Sequence, residues 1–478
     1  MLMTLVTPPV LVGRKPAERT AGCTHVVYLA PNIYHLTVAA LLERDGHQIA
    51  QRDFVYDRQK RRDFENWLAN DNSDAYLIWA VNLSIDNDRE ACRIILDRRP
   101  DCHIILLGPG PTYFTERFLF DPRIIVVRGE PEQTVSQLAH ALADDTDWHR
   151  LQGISWLDAR QVVNNPARPL MTDIDALPFP ARHLIANQRY FNPKLNCDRY
   201  TTAFTSRNCP HRCTYCVPSS LSFAREIEHR RLCGKKPPIA MRSVESVDRE
   251  MDEIAQMGYN GVGFMDDNFI WNEKRTTDLC DVMRRHRLVW GCQARADAIT
   301  QPIAKALAES GCRYVDLGVE SFDDRILADI GKDLNSSQIN NAIELLHSHK
   351  VPVKLNILIG CSPLETPQTV SDTLRQAKRM KVDQVMFNIV SPFPGTEYYD
   401  TCRKNGWIDG GEYVPTDVQR NSIINLPHLS ARQMERALRR NNLSFFLSWH
   451  FVSTHINRFS NPRQWLHAAK ALNVKLFG

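Results

Sequence analysis

The chain has 478 residues, enough for two or three domains with buried cores, and its 43% hydrophobic and 24% charged residues are typical of a globular protein. A formal net charge of only +4 argues against binding through overall charge, so we expect no nucleic-acid partner. The N-terminus lacks the basic start and apolar core of a signal peptide, and no stretch approaches the roughly 18 apolar residues of a membrane span, so we expect a cytoplasmic protein.

Predicted strands and helices alternate over the first 150 residues. Apolar runs indicate strands in MTLVTPP, HQIAQRDF, DAYLIWAVNL, CHIILLGPGP and IIVVRGEP, and helices are indicated in VAALLERDG and EQTVSQLAHAL. This alternation predicts an α/β domain over residues 1–150 with a doubly wound, Rossmann-like parallel sheet. Such sheets bind ligands at the carboxyl ends of their strands. Gly108, Gly110 and Gly129 lie at those ends, which predicts a cofactor crevice there.

A second alternation follows a predicted linker over residues 151–195. Residues 196–404 contain about six strand–helix units, among them GVGFMDD and its following helix, and VKLNILIG followed by TVSDTLRQAKRM. This pattern predicts a (β/α)6-type partial TIM barrel.

Polar residues stand at the carboxyl ends of several predicted barrel strands. They are Asp266, Asp267, Arg295, Glu320 and Asn356. Because that edge of a barrel carries the chemistry, we predict that these side chains line a site. A carboxylate can instead cap a helix, and we expect one of the two aspartates to cap the next helix while the other faces the site.

Residues 405–478 are predicted to form a helical C-terminal segment. After Glu435 this segment has seven Lys or Arg residues and no Asp or Glu, interleaved with aromatics that include Trp449 and Trp465. We expect the aromatic side chains to pack on the barrel. A basic, aromatic segment also suits an anionic membrane surface or a lipid-like substrate, which is the alternative.

Three clustered cysteines, Cys209, Cys213 and Cys216, lie in the loop SRNCPHRCTYCVPSS after the first barrel strand. Closed zinc sites take four Cys or His ligands, and His211 has little reach to act as the fourth. Three thiolates at C-x3-C-x2-C instead suit three irons of a 4Fe-4S cluster, which leaves one iron open to a small molecule. Zinc remains the alternative metal.

The loop CPHRCTYC resembles the cluster-binding loop of the radical SAM enzymes, and GFMDDNF, QARAD, DLGVES and LNILIGCSPLET resemble later strand ends of their barrel. The resemblance implies that the three cysteines bind a 4Fe-4S cluster whose open iron holds S-adenosyl-L-methionine. It also implies S-adenosyl-L-methionine-binding roles for Tyr215, Asp266, Arg295, Glu320 and Asn356. Tyr215 matches the aromatic residue near the adenine, whereas Leu364 stands where the family usually has glycine.

The stretches LVTPP, LLGPGP, VVRGEPEQT, DIDALPFPAR and SPFPGT resemble the branch of this family that has a cobalamin-binding domain in front of the barrel. The resemblance implies that Gly108, Gly110, Gly129 and Glu130 bind cobalamin. In place of the D-x-H-x-x-G motif, whose histidine ligates cobalt, the chain has RDFVYDRQ without a histidine. We therefore expect either cobalamin with no imidazole beneath it or a domain that has lost the cofactor.

Three functions remain open at this point. The first is a cobalamin-dependent methyltransferase that acts on an unactivated carbon of a small-molecule or lipid-like substrate. The second is an oxidative cyclase or rearrangement enzyme with the same cofactors, related to tetrapyrrole or hopanoid enzymes. Both imply an external low-potential electron donor of the flavodoxin or ferredoxin type. The third is a non-catalytic, zinc-stabilised binding protein, and the sequence singles out no catalytic residue beyond the cofactor-binding positions.

Overall fold

The computed structural model describes residues 1–455. Its strands are β1 Leu2–Thr7, β2 Gln48–Asp53, β3 Ala75–Trp79, β4 His103–Leu107, β5 Ile124–Val127, β6 Ile154–Asp158, β7 Gln161–Asn164, β8 Tyr200–Ala203, β9 Ser206–Arg207, β10 Ala240–Met241, β11 Gly261–Phe264, β12 Val289–Ala294, β13 Cys312–Glu320, β14 Val353–Ile359 and β15 Gln384–Ile389. Its α-helices are α1 Ile33–Arg44, α2 Arg61–Leu68, α3 Ile85–Arg98, α4 Pro109–Tyr113, α5 Thr115–Phe118, α6 Glu132–Ala143, α7 Ser220–Cys233, α8 Val244–Gln256, α9 Glu273–His286, α10 Gln301–Glu309, α11 Asp324–Asp329, α12 Ser336–Ser348, α13 Pro367–Arg379, α14 Glu397–Lys404, α15 Ala431–Phe446 and α16 Trp449–His455.

The chain divides into two compact units that interleave along the sequence. The N-terminal unit consists of Met1–Tyr190, Ser206–Asn208 and Val217–Arg242. The C-terminal unit consists of Phe191–Thr205, Cys209–Cys216 and the chain from Ser243 onward. Helix α7 and the short β9–β10 ladder therefore belong to the N-terminal unit, although they follow β8 in sequence.

The N-terminal unit is built on a sheet of strand order β2-β1-β3-β4-β5-β6-β7. The first five of these strands are parallel, and β6 and β7 extend the sheet antiparallel. Strands β3 and β5 are buried along their whole length, as expected for apolar runs covered on both faces. The chain reverses its direction of travel across the sheet between β1 and β3, the point where such sheets bind ligands. The predicted α/β class is confirmed.

The C-terminal unit contains a parallel sheet of strand order β15-β14-β13-β12-β11-β8. Within this sheet the strands lie side by side in the order in which they occur along the chain, with helices between them, which is the order of an open (β/α)6 barrel. Along β13 the outward side chains Val315, Leu317 and Val319 are fully buried. The inward positions of the same strand carry Tyr314, Asp316 and Gly318.

The C-terminal helical segment covers the last barrel strand. Helix α15 contacts both β15 and α13, and Ile389 of β15 donates its backbone N–H to the Val418 carbonyl (2.8 Å). Phe445 is buried, as expected, whereas Trp449 is 80% exposed. Trp465 lies outside the described residues. No helix in the described part of the chain has the length and hydropathy needed to span a bilayer.

Candidate active site

The three cysteines lie in a loop that two later strand–helix units hold in place. Thr214, between Cys213 and Cys216, donates its backbone N–H to the Ile330 carbonyl (3.0 Å) and accepts a bond from the Tyr398 N–H (2.9 Å) at its own carbonyl. All three cysteines are partly exposed. The loop is thus fixed through its backbone at Thr214, and its three cysteines keep partial exposure.

Within residues 1–455, no group of three or more His, Cys, Asp or Glu side chains is gathered closely enough to hold a single metal ion. A zinc site needs its ligands around one centre. In a 4Fe-4S cluster each cysteine binds a different iron, so the three sulfurs stand farther apart. Among the described residues, Cys209, Cys213 and Cys216 therefore do not form the single-centre arrangement that a zinc site needs.

Arg295 places a positive charge beside the cysteine loop. Its guanidinium is buried and donates to Asp297 (3.0 and 2.9 Å) and to the Lys332 carbonyl (2.7 Å). Burial alone lowers the pKa of Arg295, but Asp297 and the negative charges of Cys213 and Cys209 outweigh burial and raise it. The Nη1 atom has no hydrogen-bond partner among the described residues, so it remains available to an anionic group of a ligand.

Glu320 and Lys332 form a buried ion pair (2.8 Å) at the carboxyl end of β13. Glu320 has a φ of +65°, just after an irregularity in the pairing of β13 with β14. This turn brings its carboxylate back over Gly318, where an added Cβ would lie 3.0 Å from both charged atoms. The Lys332 ammonium is also 3.4 Å from the Tyr215 hydroxyl.

Tyr215 is held as a neutral phenol next to this pair. Burial raises its pKa well above the ordinary value, and the negative charges of Glu320, Cys213 and Cys216 add to the effect. For Lys332, burial lowers the pKa of the ammonium, but Glu320 and Cys213 outweigh burial and raise it. The structure thus brings Tyr215, Arg295 and Glu320 together around Lys332, a residue that the sequence analysis missed.

Asp266 has a different environment from the other predicted ligand-binding residues. It is fully buried and accepts bonds from the Thr205 N–H (3.1 and 3.0 Å) and the Thr205 hydroxyl (2.7 Å), which fixes the turn after β8. The N-cap of α9 is Asn272, so the expectation that Asp266 or Asp267 caps this helix is wrong. Asn356 is half-buried on β14 and pairs in register with Gly318.

The turn after β14 is built by a carboxylate rather than by glycine. Glu365 accepts bonds from the backbone N–H groups of Gly360 (3.0 Å), Cys361 (2.6 Å) and Ser362 (3.2 Å). Three donors on one carboxylate compensate for its burial. Leu364, which replaces the glycine usual in the family, simply points outward and is 48% exposed.

The predicted crevice of the N-terminal unit is closely packed where its glycines lie. Gly108 has a φ of +96°, and a Cβ added to it would come within 2.6 Å of the Ala80 carbonyl oxygen. A Cβ added to Gly110 would lie 3.0 Å from the Val81 carbonyl oxygen, and one added to Gly129 would lie 3.0 Å from the Cβ of Glu228. Gly108 and Gly110 thus let the chain pass close to the end of β3, whereas Gly129 lies against α7.

Glu130 belongs to a buried network of charged residues in the same unit. It contacts Arg207, lies 3.1 Å from the Arg225 guanidinium and accepts a bond from the Met171 N–H (2.7 Å). Arg207 also pairs with Glu132 (2.6 Å). Glu130 therefore uses its oxygens within the protein, and its predicted role in binding cobalamin stays a prediction.

Comparisons with known proteins agree with this geometry. Residues 204–377, which include the cysteine loop and most of the barrel, match the family model described as "Radical SAM superfamily". The chain is similar to "Uncharacterized methyltransferase PH0819" of Pyrococcus horikoshii, with 27% identity over 94% of this chain and 93% of that protein. It is also similar to "Anaerobic magnesium-protoporphyrin IX monomethyl ester cyclase" of Cereibacter sphaeroides, with 23% identity over 68% of this chain and 52% of that protein.

A solved structure shares the fold of nearly the whole chain. The "Cobalamin-dependent S-adenosylmethionine radical enzyme OxsB with aqua-cobalamin and S-adenosylmethionine bound" superposes with a TM-score of 0.71 at 16% identity, over 100% of this chain and 72% of that one. The cysteine loop, the barrel and the family match define an enzyme that cleaves S-adenosyl-L-methionine at a 4Fe-4S cluster. Residues 204–377 thus form a radical SAM domain.

A 4Fe-4S cluster bound here would supply the low-potential electron for reductive cleavage of S-adenosyl-L-methionine. Cys209, Cys213 and Cys216 are the residues that would hold the cluster. The neighbouring positive groups of Arg295 and Lys332 stabilise negative charge there, and Lys332 orients the Tyr215 phenol.

Proposed function

We propose that the chain is a cobalamin-dependent radical SAM methyltransferase that adds a methyl group to an unactivated carbon of a small molecule. The observation that carries the proposal is the alignment with a protein named a methyltransferase over 94% of this chain and 93% of that protein. An alignment of this extent spans both compact units. A function that needs both units is therefore favoured over one that needs the barrel alone.

Unsatisfied polar groups at the ligand-binding edge of the N-terminal sheet support a bound cofactor there. Asn82, just after β3, is 1% exposed, and neither its amide nitrogen nor its amide oxygen has a partner among the described residues. His35, near the start of α1, is buried, and its Nε2 has no partner within residues 1–455. A buried amide with no hydrogen bond is costly, so a polar ligand such as the amide-bearing corrin of cobalamin fits this edge.

The His35 ring is suited to accept a bond from such a ligand. Burial, together with the charge of Arg19, lowers the pKa of His35 to about 3. The ring is therefore neutral at physiological pH, and an unprotonated Nε2 is an acceptor. Asn82 and His35 would then contact cobalamin, in addition to the predicted Gly108, Gly110, Gly129 and Glu130.

An oxidative cyclase with the same cofactors is the second candidate function. It is supported by the similarity to the cyclase named above, which covers 68% of this chain but only 52% of that protein. Because the chain is an enzyme, the third possibility, a non-catalytic zinc-stabilised binding protein, is wrong.

The two functions share their cofactors and are separated by their products. The protein is purified anaerobically from a host grown with hydroxocobalamin, and iron and corrinoid are measured per chain. About four irons and one corrinoid are expected. Small-molecule extracts of strains with and without the protein are then compared by mass spectrometry. A gain of one methylene supports methyl transfer, whereas a loss of hydrogen or a gain of oxygen supports the cyclase, and absence of corrinoid contradicts both.

We further propose that an external flavodoxin- or ferredoxin-type donor reduces the cluster, and that the C-terminal helices contact an anionic membrane surface. Support for the second point is the exposure of Leu447 (70%) and Trp449 (80%) beside the exposed Arg439 and Arg440. Flotation of the protein with vesicles containing anionic lipid tests it. A Leu447→Ser/Trp449→Ser variant that floats as well as the wild type would contradict a membrane contact at this position.

A further inference from the structure

The inner face of the barrel is polar. Barrels of this class usually fill their interior with branched apolar side chains, which form a packed core. Here the inward positions of β13 and β14 include Asp316, Gly318, Lys354 and Asn356, which pair across the two strands. Gln293, opposite Asp316 on β12, is exposed although it lies on a central strand. The interior is therefore lined with hydrogen-bonding groups, and Gln293 gives it access to solvent.

Two lysines and one aspartate form the floor of this interior. The ammonium groups of Lys194 and Lys354 lie 2.9 and 2.8 Å from the same oxygen, Oδ2 of Asp316. The three side chains are only 11%, 11% and 9% exposed. The Lys194 ammonium also lies 3.6 Å from the centre of the Tyr314 ring. We call Lys194, Asp316 and Lys354 the lysine floor.

The lysine floor carries a net positive charge. Burial alone raises the pKa of Asp316, but the charges of Lys194 and Lys354 outweigh burial and lower it, so the carboxylate is ionised. Two ammonium groups and one carboxylate leave a net charge of +1. A buried charge without a counter-ion is costly. Burial, with the charge of Lys194, lowers the pKa of Lys354, as expected where a second anion is missing.

Acceptors without donors lie on the same inner face. Oδ1 of Asp316 and Oδ1 of Asn388 are both buried, and neither has a hydrogen-bond partner in the described part of the chain. Asn388 of β15 pairs with Leu358, two residues after the half-buried Asn356 on β14. A ligand that fits here carries an anionic group for the lysines and O–H or N–H donors for these two oxygens.

We propose that the lysine floor binds the anionic group of the substrate, a carboxylate or phosphate next to a hydroxyl or amino donor. The proposal rests on the proposed function, because it takes the barrel interior to be the substrate site. It makes the substrate a hydrophilic oxyanion and excludes a neutral polycyclic lipid.

The test measures binding of small matched probes to the anaerobically reconstituted full chain by titration calorimetry. Glycolate and 2-hydroxyethyl phosphate carry the oxyanion, whereas ethylene glycol is neutral and ethanolamine is a cation. We expect at least one oxyanion to bind at least tenfold more tightly than the neutral and cationic probes. The better of the two identifies carboxylate or phosphate. Oxyanions that bind no better than ethylene glycol overturn the proposal.

Two substitutions in the lysine floor should change the affinity for oxyanions in opposite directions. Lys354→Met removes a positive charge and should weaken oxyanion binding at least tenfold, whereas Asp316→Asn removes the competing carboxylate and should strengthen it. Lys305→Met is the matched control, because this lysine is 63% exposed on α10 of the same barrel, and should have no effect. If the three residues form only a structural ion network, both floor variants should be less stable than the wild type and neither should bind oxyanions more tightly. If Lys354→Met does not fold, the sign of the Asp316→Asn effect decides.

Formation of 5′-deoxyadenosine is measured in the same preparations. Wild-type protein that cleaves S-adenosyl-L-methionine but shows no preference for oxyanions refutes the lysine floor alone. Protein that prefers oxyanions but binds no corrinoid refutes the proposed methyltransferase while the floor stands. The two failures are therefore distinguishable.

Discussion

Replacing His35 with glutamine should remove a source of acid sensitivity from the N-terminal unit. The pKa of this buried ring is lowered to about 3 by burial and the charge of Arg19. An unfolded histidine titrates near 6.5. Above about pH 6.5 the ring is neutral in both states. Below it only the unfolded state binds the proton, so the free energy of unfolding falls by about 1.4 kcal/mol per pH unit until about pH 3.

The loss caused by His35 amounts to about 2 kcal/mol between pH 7.5 and pH 5, and the glutamine variant should lack it. Asp53 works in the opposite direction, because burial raises its pKa to about 6 and the folded state then gains a proton as the pH falls. This contribution is the same in both proteins and cancels in the comparison.

The assay is urea unfolding of the full chain, followed by circular dichroism at pH 7.5, 6 and 5. The free energy of unfolding of His35→Gln, measured relative to that of the wild type, should increase by about 2 kcal/mol as the pH is lowered from 7.5 to 5. His428→Gln is the control, since His428 is exposed and its replacement should leave the pH profile of the wild type unchanged. If the wild type and His35→Gln lose the same free energy from pH 7.5 to 5, within about 0.5 kcal/mol, the reasoning is refuted.

Three other substitutions test the cluster, the ion pair and the glycine turn. Cys213→Ala should abolish 5′-deoxyadenosine formation, and unchanged formation in a chromatographic assay would contradict the cluster assignment. Lys332→Met leaves buried Glu320 unpaired and should lower the free energy of unfolding by about 3–5 kcal/mol. The control Lys305→Met, at an exposed lysine, should lower it by less than about 1 kcal/mol. Equal losses in the two variants would count against a buried ion pair. Gly108→Ala should cost about 1–3 kcal/mol because of its φ of +96°, and a loss near zero in denaturant unfolding would show that the backbone relaxes.

The two sheets could be predicted because their signal is local. Runs such as Ala75–Trp79 are apolar at every position, which only a strand covered on both faces requires. The cysteine loop is equally local, since three ligands within eight residues carry their own spacing. Local sequence places Asp266 correctly at a strand end but does not reveal what its carboxylate contacts. That carboxylate accepts a hydrogen bond from the Thr205 hydroxyl.

Residues whose role depends on distant contacts could not be predicted. Lys332 is an ordinary lysine after a helix, and it reaches Glu320 only because that residue adopts a positive φ after a pairing irregularity. Lys194 lies in the stretch predicted to be a linker, and its contact with Asp316 spans 122 residues. No pattern of neighbouring residues encodes such pairs, because they form only when the barrel closes.

The interleaving of the two units sets the order in which the chain can fold during synthesis. The N-terminal unit includes Val217–Arg242, so it remains unfinished when Tyr190 leaves the ribosome. Until α7 is made, the Trp79 indole lacks its acceptor on Ser220 (3.0 Å) and Arg128 lacks Glu228 (2.9 Å). At about 5–20 residues per second this wait lasts several seconds. A fragment cut at Tyr190 would lack these two contacts permanently, so we expect it to be less stable than the same unit in the full chain.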